Sequence, residues 1–200
     1  MKWIVAIAVL LTSSLPAHSQ RAPTAQSTGS HSASYQSAER KLNEISDNGR
    51  LARPQPRTTV LNADEINAYL AEGGVALPEG VHRVRFSSVP MMVTAAARID
   101  FDRLTASRKI SNPWMAVLFS GVHEVSVEAQ ATGSGGMGSV HVGSVAIDGV
   151  KVPRVAMQFL VDYYLKPKYG ANVGLDSRFP LPARIDAAVV GNNQVAVTQR

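Results

Sequence analysis

The chain has no cysteine among its 200 residues. That excludes a disulfide scaffold, a zinc–cysteine site, a thiol nucleophile and a lipidated N-terminal cysteine. Aromatic residues make up only 6%, so any core must be assembled from Ala, Val, Leu and Ile. No uninterrupted apolar run reaches the roughly 20 residues of a helical membrane span, which argues against an integral membrane protein. Dense Lys/Arg tracts are missing too. The formal net charge is +5, spread thinly along the chain, and nucleic acid is therefore a poor partner. What is present is a globular balance, 45% hydrophobic and 18% charged, sufficient for one domain with or without a tail.

The N-terminus reads as an export address. Lys2 is a minimal basic region, and Trp3 to Leu11 is a short apolar stretch. Ala17-His18-Ser19 then places small residues at the −3 and −1 positions of a cleavage site before Gln20. Residues 1–19 are thus expected to be a signal peptide, and the protein to be periplasmic or secreted. With no cysteine after the apolar stretch, release is expected rather than lipid anchoring. Loss of residues 1–19, which carry Lys2, lowers the formal charge from +5 to +4. Such a mild excess suits weak peripheral attraction to anionic headgroups or acidic polymers.

Residues 20–56 are rich in Ser, Ala, Gln, Arg and Pro. From Gln20 to Ser37 there is one aromatic, Tyr35, and no Leu, Ile or Val. Such a segment buries too little apolar area to offset ordering entropy, so residues 20–56 are expected to be a disordered tail and linker. Within it, Ala38 to Ser46 can form a short helix with Leu42 and Ile45 on one side. Arg50 to Arg57 reads as a linker because of its two prolines. The folded domain is expected over residues 58–200.

That domain opens with a helix. Asn62 fits an N-cap with Glu65 at N3, a capping box, while Leu61 and Ile66 form a hydrophobic staple and Gly73-Gly74 ends the helix. Strands follow. Val81 to Ser88 is short. From Met91 to Phe101 every odd position is apolar, and Val122 to Thr132 alternates with Val125, Val127, Ala129 and Ala131 on one side. A Gly-rich turn, Gly133 to Gly138, leads to Ser139–Asp148. There Val140 and Val142 share a phase opposite to that of Val145 and Ile147, so a bulge is expected at Gly143-Ser144. Ile185, Ala187 and Val189 alternate toward a closing hairpin turn at Gly191-Asn192-Asn193, from which Val195 and Val197 return. Between the hairpins, Pro153 to Leu165 reads as a second helix with Pro153 at N1. Its polar residues Arg154, Gln158, Asp162 and Lys166 recur every four positions, leaving the rest of the circumference apolar.

Several constellations have the outline of chemistry without its context. Gly133 to Gly138 matches GxGxxG, but a dinucleotide site needs a helix after the loop, and here a valine-rich strand follows. Asp100 and Asp102 would share a strand face, as a cation site or an acid–base pair requires; they precede Arg103 at a strand end, where solvated charges are routine. His31, His82, His123 and His141 lack the helical spacing of a zinc pair, and no nucleophile elbow exists. No catalytic residue, metal or cofactor is assigned.

The order of four segments carries a resemblance: TVLNADEINAYLA, LPEGVHRVRFSSVPMMVTAAARIDFDRL, VAIDGVKVPRVAMQFLVDYYL and LPARIDAAVVGNNQVAVTQ. An Asn-x-Tyr-Leu helix at Asn67–Leu70, a Gly-Val-x-Val-Pro lead into an apolar helix at Gly149–Pro153, and a Leu-Pro-x-x-Ile start to the closing hairpin at Leu181–Ile185 make up the pattern. In this the chain resembles the LmeA-like bacterial phospholipid-binding proteins and other tubular lipid-binding (TULIP-like) domains, from about Thr58 to Gln199. It departs from them over Leu104 to Ser120 and Gly170 to Phe179. The resemblance implies an α+β fold in which a long, curved antiparallel sheet wraps around a long apolar helix, leaving an apolar groove, with one short N-terminal helix besides.

The function expected is that of an exported, non-enzymatic protein holding a phospholipid or other long apolar ligand between helix and sheet. The candidate lining is Val93, Ala95, Ala97, Val127, Ala129, Ala156, Phe159, Leu160 and Tyr163. Lys166, Lys168 and Arg184 are candidates for a headgroup phosphate. The small side chains Ala95, Ala97, Ala129 and Ala131 either leave room for an acyl chain or let the helix sit closer to the sheet. The alternative is a structural or interaction protein of the envelope with no internal ligand, using its sheet edge or tail. An envelope hydrolase built on Asp100 and Asp102 is the third, weaker reading.

Overall fold

The alternating strands predict a sheet with one apolar face, and a computed structural model describes it over residues 31–104, 119–162, 166 and 174–200. The fold is α+β, with an open antiparallel sheet of nine strands. Its spine is the hairpin of β4 (Val122–Ser134) and β5 (Met137–Ile147). Gly135 and Gly136 turn this hairpin at φ 58° and 74°, a conformation that favours glycine at both positions. The GxGxxG match is therefore a hairpin turn.

Along the first part of β4 runs β3 (Met92–Asp100), paired from Asp100↔Val122 to Met92↔Gln130, and β2 (Val81–Val89) lies beyond it. Past the end of β3, β8 (Ile185–Gly191) takes over the same edge of β4 at Gly133↔Ala188. It is followed outward by β9 (Gln194–Gln199) and β1 (Arg57–Asn62). The other edge of β5 carries β6 (Val150–Lys151) and β7 (Asp176–Pro180).

Three irregularities shape the sheet. Glu128 pairs with Ser144 and Ala129 with Val142, so Gly143 is the extra residue of the expected bulge. In β8, Ile185 pairs with Gln199 but Ala187 with Thr198, which makes Asp186 an extra residue. This corrects the expected alternation: Ile185 and Val190 are buried, whereas Val189 is 61% exposed. The third lies in β2, between His82 and Arg85.

The largest departure from expectation is N-terminal. Residues 33–50, assigned above to a disordered tail except for a short helix, form the 18-residue helix α1 (Ala33–Arg50). Ser32 caps it, its Oγ accepting from the Tyr35 N–H at 3.2 Å. Composition averages out what spacing preserves: Tyr35, Ala38, Leu42, Ile45 and Asn48 recur every three or four residues and are all buried on one stripe. The folded body therefore begins with α1 rather than at residue 58. Residues 1–30, with the signal-peptide assignment and the start of the tail, lie outside the described residues.

α1 packs against α2 (Ala63–Ala71) and β1. In α2 the capping box forms, Glu65 N–H to Asn62 Oδ1 and Asn62 N–H to Glu65 Oε2, each at 2.9 Å. The C-terminal end of α1 is tied down by a buried polar network. Asn48 Nδ2 donates to Gln199 Oε1 at 3.0 Å, and Gln199 Nε2 donates to the Ile45 and Ala183 carbonyls at 2.8 and 2.6 Å. Here the backbone comes so close that a Cβ on Gly49 would stand 2.4 Å from the Ala183 carbonyl oxygen. In a free helix Gly49→Ala would gain about 1 kcal/mol from propensity. In this protein it is expected to cost about 1–3 kcal/mol, because backbone atoms cannot step aside. A lowered melting temperature checks it; an unchanged or raised one would mean that α1 docks less closely.

Two apolar clusters pack between the sheet and the helices. One lies beneath α1 and α2 and includes Leu42, Leu61, Ile66, Leu70, Phe86 and Val93. The other lies beneath α4 (Arg154–Leu160) and includes Ala97, Val125, Ala129, Val142, Ala156 and Met157. Val84 and Ala131 pack against both. α4 forms within the expected second helix, with Pro153 as its N-cap rather than at N1. Its α-helical turns cover Arg154–Leu160, Val161 and Asp162 continue as π-helix, and residues 163–165 lie outside the described residues. It buries Ala156, Met157 and Val161 and leaves Val155 78% exposed.

Candidate functional site

Of the alanines expected to line the groove, three are buried and Ala95 is half-buried. Ala97, Ala129 and Ala156 are all buried in the cluster beneath α4, where small side chains let helix and sheet approach. Val93 is buried in the other cluster, beneath α1 and α2. Ala95 and Val127, cross-strand partners, stay half-buried, as does Phe159 on α4. The side chain of Leu160, and Tyr163 and Lys168, lie outside the described residues. The remaining headgroup candidates sit in separate places. Lys166 is bound to Asp162 at 2.6 Å, while Arg184 Nη1 donates to the Ala52 carbonyl at 3.4 Å, beside the segment that follows α1.

A cleft of about 580 Å³ opens elsewhere, at the start of β2, which ends the sheet path on one side. Leu70 and Ala71 from the last turn of α2 form one wall. Leu77 from the following loop and Val81, His82, Arg83 and Val84 from β2 form another, and Arg98 of β3 completes the lining. Local chemistry builds each part. Gly73, at φ +90°, stops α2. The loop re-enters the sheet through Gly80, whose carbonyl accepts from the Asp100 N–H at 2.6 Å. Then the β2 bulge intervenes: His82 pairs with Arg98 and Arg85 with Ala96, so Arg83 and Val84 together face Ala97.

The bulge holds Arg83 at φ 53°. For a residue with a side chain this left-handed backbone costs about 1–2 kcal/mol. Its consequence is an alternation of surface character within four residues. Val81 and Leu70 are buried at the floor and Val84 is half-buried, while His82, Arg83 and Arg98 are exposed at the rim. Among the described residues none of these three forms an ion pair. Glu124 is the cross-strand partner of Arg98 on β4, yet no ion pair joins them.

Two of the histidines singled out earlier, His123 and His141, serve as clasps. His123 Nδ1 meets Asp148 Oδ2, and its Nε2 meets the Ser120 carbonyl, both at 2.6 Å. The hydrogen bond with Asp148, more than the opposing desolvation, raises the pKa of His123 above its ordinary value. The same bond lowers that of Asp148. His141 pairs with Asp176, which also accepts from Arg154 Nη2 at 3.2 Å and so joins β5, β7 and α4. Asp100 and Asp102 do not share a strand face as expected: β3 ends at Asp100, and Asp102 lies on the short helix α3 (Phe101–Leu104). Asp100 instead accepts from the Arg103 N–H at 3.1 Å. Among the described residues no group of three potential ligands could hold a metal ion.

Sequence reasoning did not find this cleft. The signal was a phase slip: Val81, Val84 and Phe86 cannot all face one side of a regular strand. Compared with protein-family models, with curated proteins and with solved structures, the chain matches none.

Proposed function

We propose that the protein is an exported, non-enzymatic binding protein of the cell envelope that takes up an acyl chain or another apolar ligand. The resemblance to LmeA-like, TULIP-like proteins motivates this reading, and one observation supports it: the cleft at β2 has an apolar floor that joins the two core clusters through Val84. Apolar ligand surface covered there contributes about 25 cal/mol per Å² from desolvation. In its fuller form the sheet curves around a longer helix continuing from α4. The ligand then extends from the cleft along half-buried Ala95 and Val127.

The test uses the chain produced from its full sequence and purified without detergent, examined by native mass spectrometry and solvent extraction. A co-purifying species of lipid mass, or one-to-one uptake of added oleate, is expected. Leu77→Asp, at a half-buried loop position on the cleft wall, should weaken uptake at least about tenfold while the fold persists. A clean apoprotein mass with no uptake overturns the proposal.

One observation favours the second reading, an interaction protein of the envelope with no internal ligand. β2 and β1 end the sheet path, and near them Val60, Val89, Met91 and Val189 are exposed apolar side chains. The free-tail version of that reading loses support because α1 is packed against the body.

A further inference from the structure

We propose that the cleft at the β2 bulge selects an anionic headgroup, carboxylate or phosphate, through Arg83 and Arg98. The inference rests on the binding reading above and assigns the headgroup role to residues other than Lys166, Lys168 and Arg184.

Three features bear on these two arginines. The first is position. Arg83 and Arg98 come from adjacent strands and line the same concavity, whose other walls are Leu70, Leu77, Val81 and Val84. A concavity apolar at its floor and cationic at its rim matches an amphiphile end to end.

The second is pairing. Lys41, Arg57, Arg154, Lys166 and Arg200 each have an acidic partner, whereas Arg40, Arg53, Arg85 and Arg178 have none among the described residues. Arg83 and Arg98 form no ion pair within the described chain. An arginine fork presents parallel N–H donors that suit the two oxygens of a carboxylate or phosphate, and a guanidinium gives up water of hydration more readily than an ammonium.

The third is backbone strain. Arg83 sits at φ 53°, where glycine or asparagine would be the relaxed choice. A bulge re-aims a side chain, and strain held at a cleft points to a use for that side chain. With a regular strand, Arg83 and His82 would alternate across the sheet; the bulge keeps Arg83 exposed beside the cleft while Val84 still packs on the core. His82 adds charge at the rim only when protonated. Glu124, cross-strand from Arg98, opposes the anion, so the preference depends on both arginines acting together.

Affinities of the full chain are compared for oleate, an alkyl phosphate and oleyl alcohol, with inorganic phosphate alone as a further arm. The two anionic amphiphiles should bind at least about tenfold more tightly than the alcohol at low salt, with the gap narrowing as salt screens the rim. Arg83→Gly and Arg98→Gln should each shrink that gap, weakening the two anionic amphiphiles more than the alcohol. Arg83→Gly should keep or raise the melting temperature, because glycine relaxes the left-handed position, so its effect on selectivity cannot come from misfolding. Inorganic phosphate should fail to compete; binding of phosphate with no binding of any chain-bearing probe reassigns the arginines to a free oxyanion and overturns the amphiphile assignment. Equal binding of oleate and oleyl alcohol overturns the headgroup inference but leaves the binding reading standing. Failure of every probe overturns both.

Discussion

Deletion of residues 20–56 is expected to leave a chain that no longer folds cooperatively. The composition of this segment marks it as dispensable, but the deletion takes away α1 and the stripe of Tyr35, Ala38, Leu42 and Ile45. Beneath that stripe lie Leu61, Ile66, Phe86, Val93 and Val190, with Ile185 and Val197 under Ile45. Truncating a buried Leu or Ile to Ala costs about 2–5 kcal/mol. Removing Leu42 and Ile45 together therefore approaches the whole stability of a domain, about 5–15 kcal/mol. The deletion also strands Gln199, 1% exposed, by taking away Asn48 and the Ile45 carbonyl. The expected product is expanded, binds hydrophobic dyes and lacks a cooperative melt, as size-exclusion chromatography and calorimetry will register. Leu42→Ala alone gives the graded version, a lowered melting midpoint in a chain that still folds. A deletion variant that melts at the full chain's temperature would make α1 an accessory. The consequence for function is direct. This deletion cannot separate the tail's role from the domain's, and point substitutions in the cleft are needed instead.

What could be read from the sequence was whatever one element decides for itself. The capping box of Asn62 and Glu65 is a contact between residues three apart, and it forms as expected. The buried face of β4 follows from the alternation of Val125, Val127 and Ala129, because one face of that strand meets the core. The bulge at Gly143 was legible since a phase reversal and a glycine coincide. The same reversal occurs in β2 between Val81 and Val84 and in β8 between Ile185 and Val190, but with Arg83 and Asp186 at the slip. Without a glycine to mark it, a reversal passes for noise in a short strand. α1 was hidden differently: its apolar residues are few, and only the partners supplied by α2, β1 and β9 make their spacing count. The cleft was beyond any single-segment reading. It needs the last turn of α2, a loop, a bulged edge strand and Arg98 of β3 to meet, and no periodicity encodes that meeting.

Lys41→Met should be the most destabilising single substitution on α1 outside its apolar stripe, and its cost should depend on pH. Glu65 is 5% exposed. Lys41 Nζ donates to both its carboxylate oxygens at 2.6 and 2.8 Å, Ser37 Oγ donates at 2.6 Å and the Asn62 N–H at 2.9 Å. Burial alone would push its pKa up, but the hydrogen bonds from Lys41, Ser37 and Asn62 outweigh that and hold it below the ordinary carboxylate value. A pKa lower in the folded state than in the unfolded state gives stability that is fully present above the unfolded value and is lost as pH falls through the folded one. Removing the lysine leaves a buried carboxylate without its counter-ion, which costs about 3–5 kcal/mol for a fully buried pair. The lower end applies here, since the Lys41 side chain is 29% exposed. In the variant Glu65 takes up its proton at higher pH, so the acid limb of the stability curve moves upward. Its deficit is largest near neutral pH and shrinks in acid, where the native chain also loses the pair. Glu65→Gln should cost less, because the lysine it frees can hydrate and Gln keeps the capping geometry. The Lys41→Met, Glu65→Gln double variant should then recover part of the single-variant loss, a coupling that appears only when the two side chains act as one unit. Urea unfolding across the acid-to-neutral range measures all four chains. A Lys41→Met midpoint equal to the native one at neutral pH would mean that Ser37 and Asn62 alone satisfy the buried carboxylate.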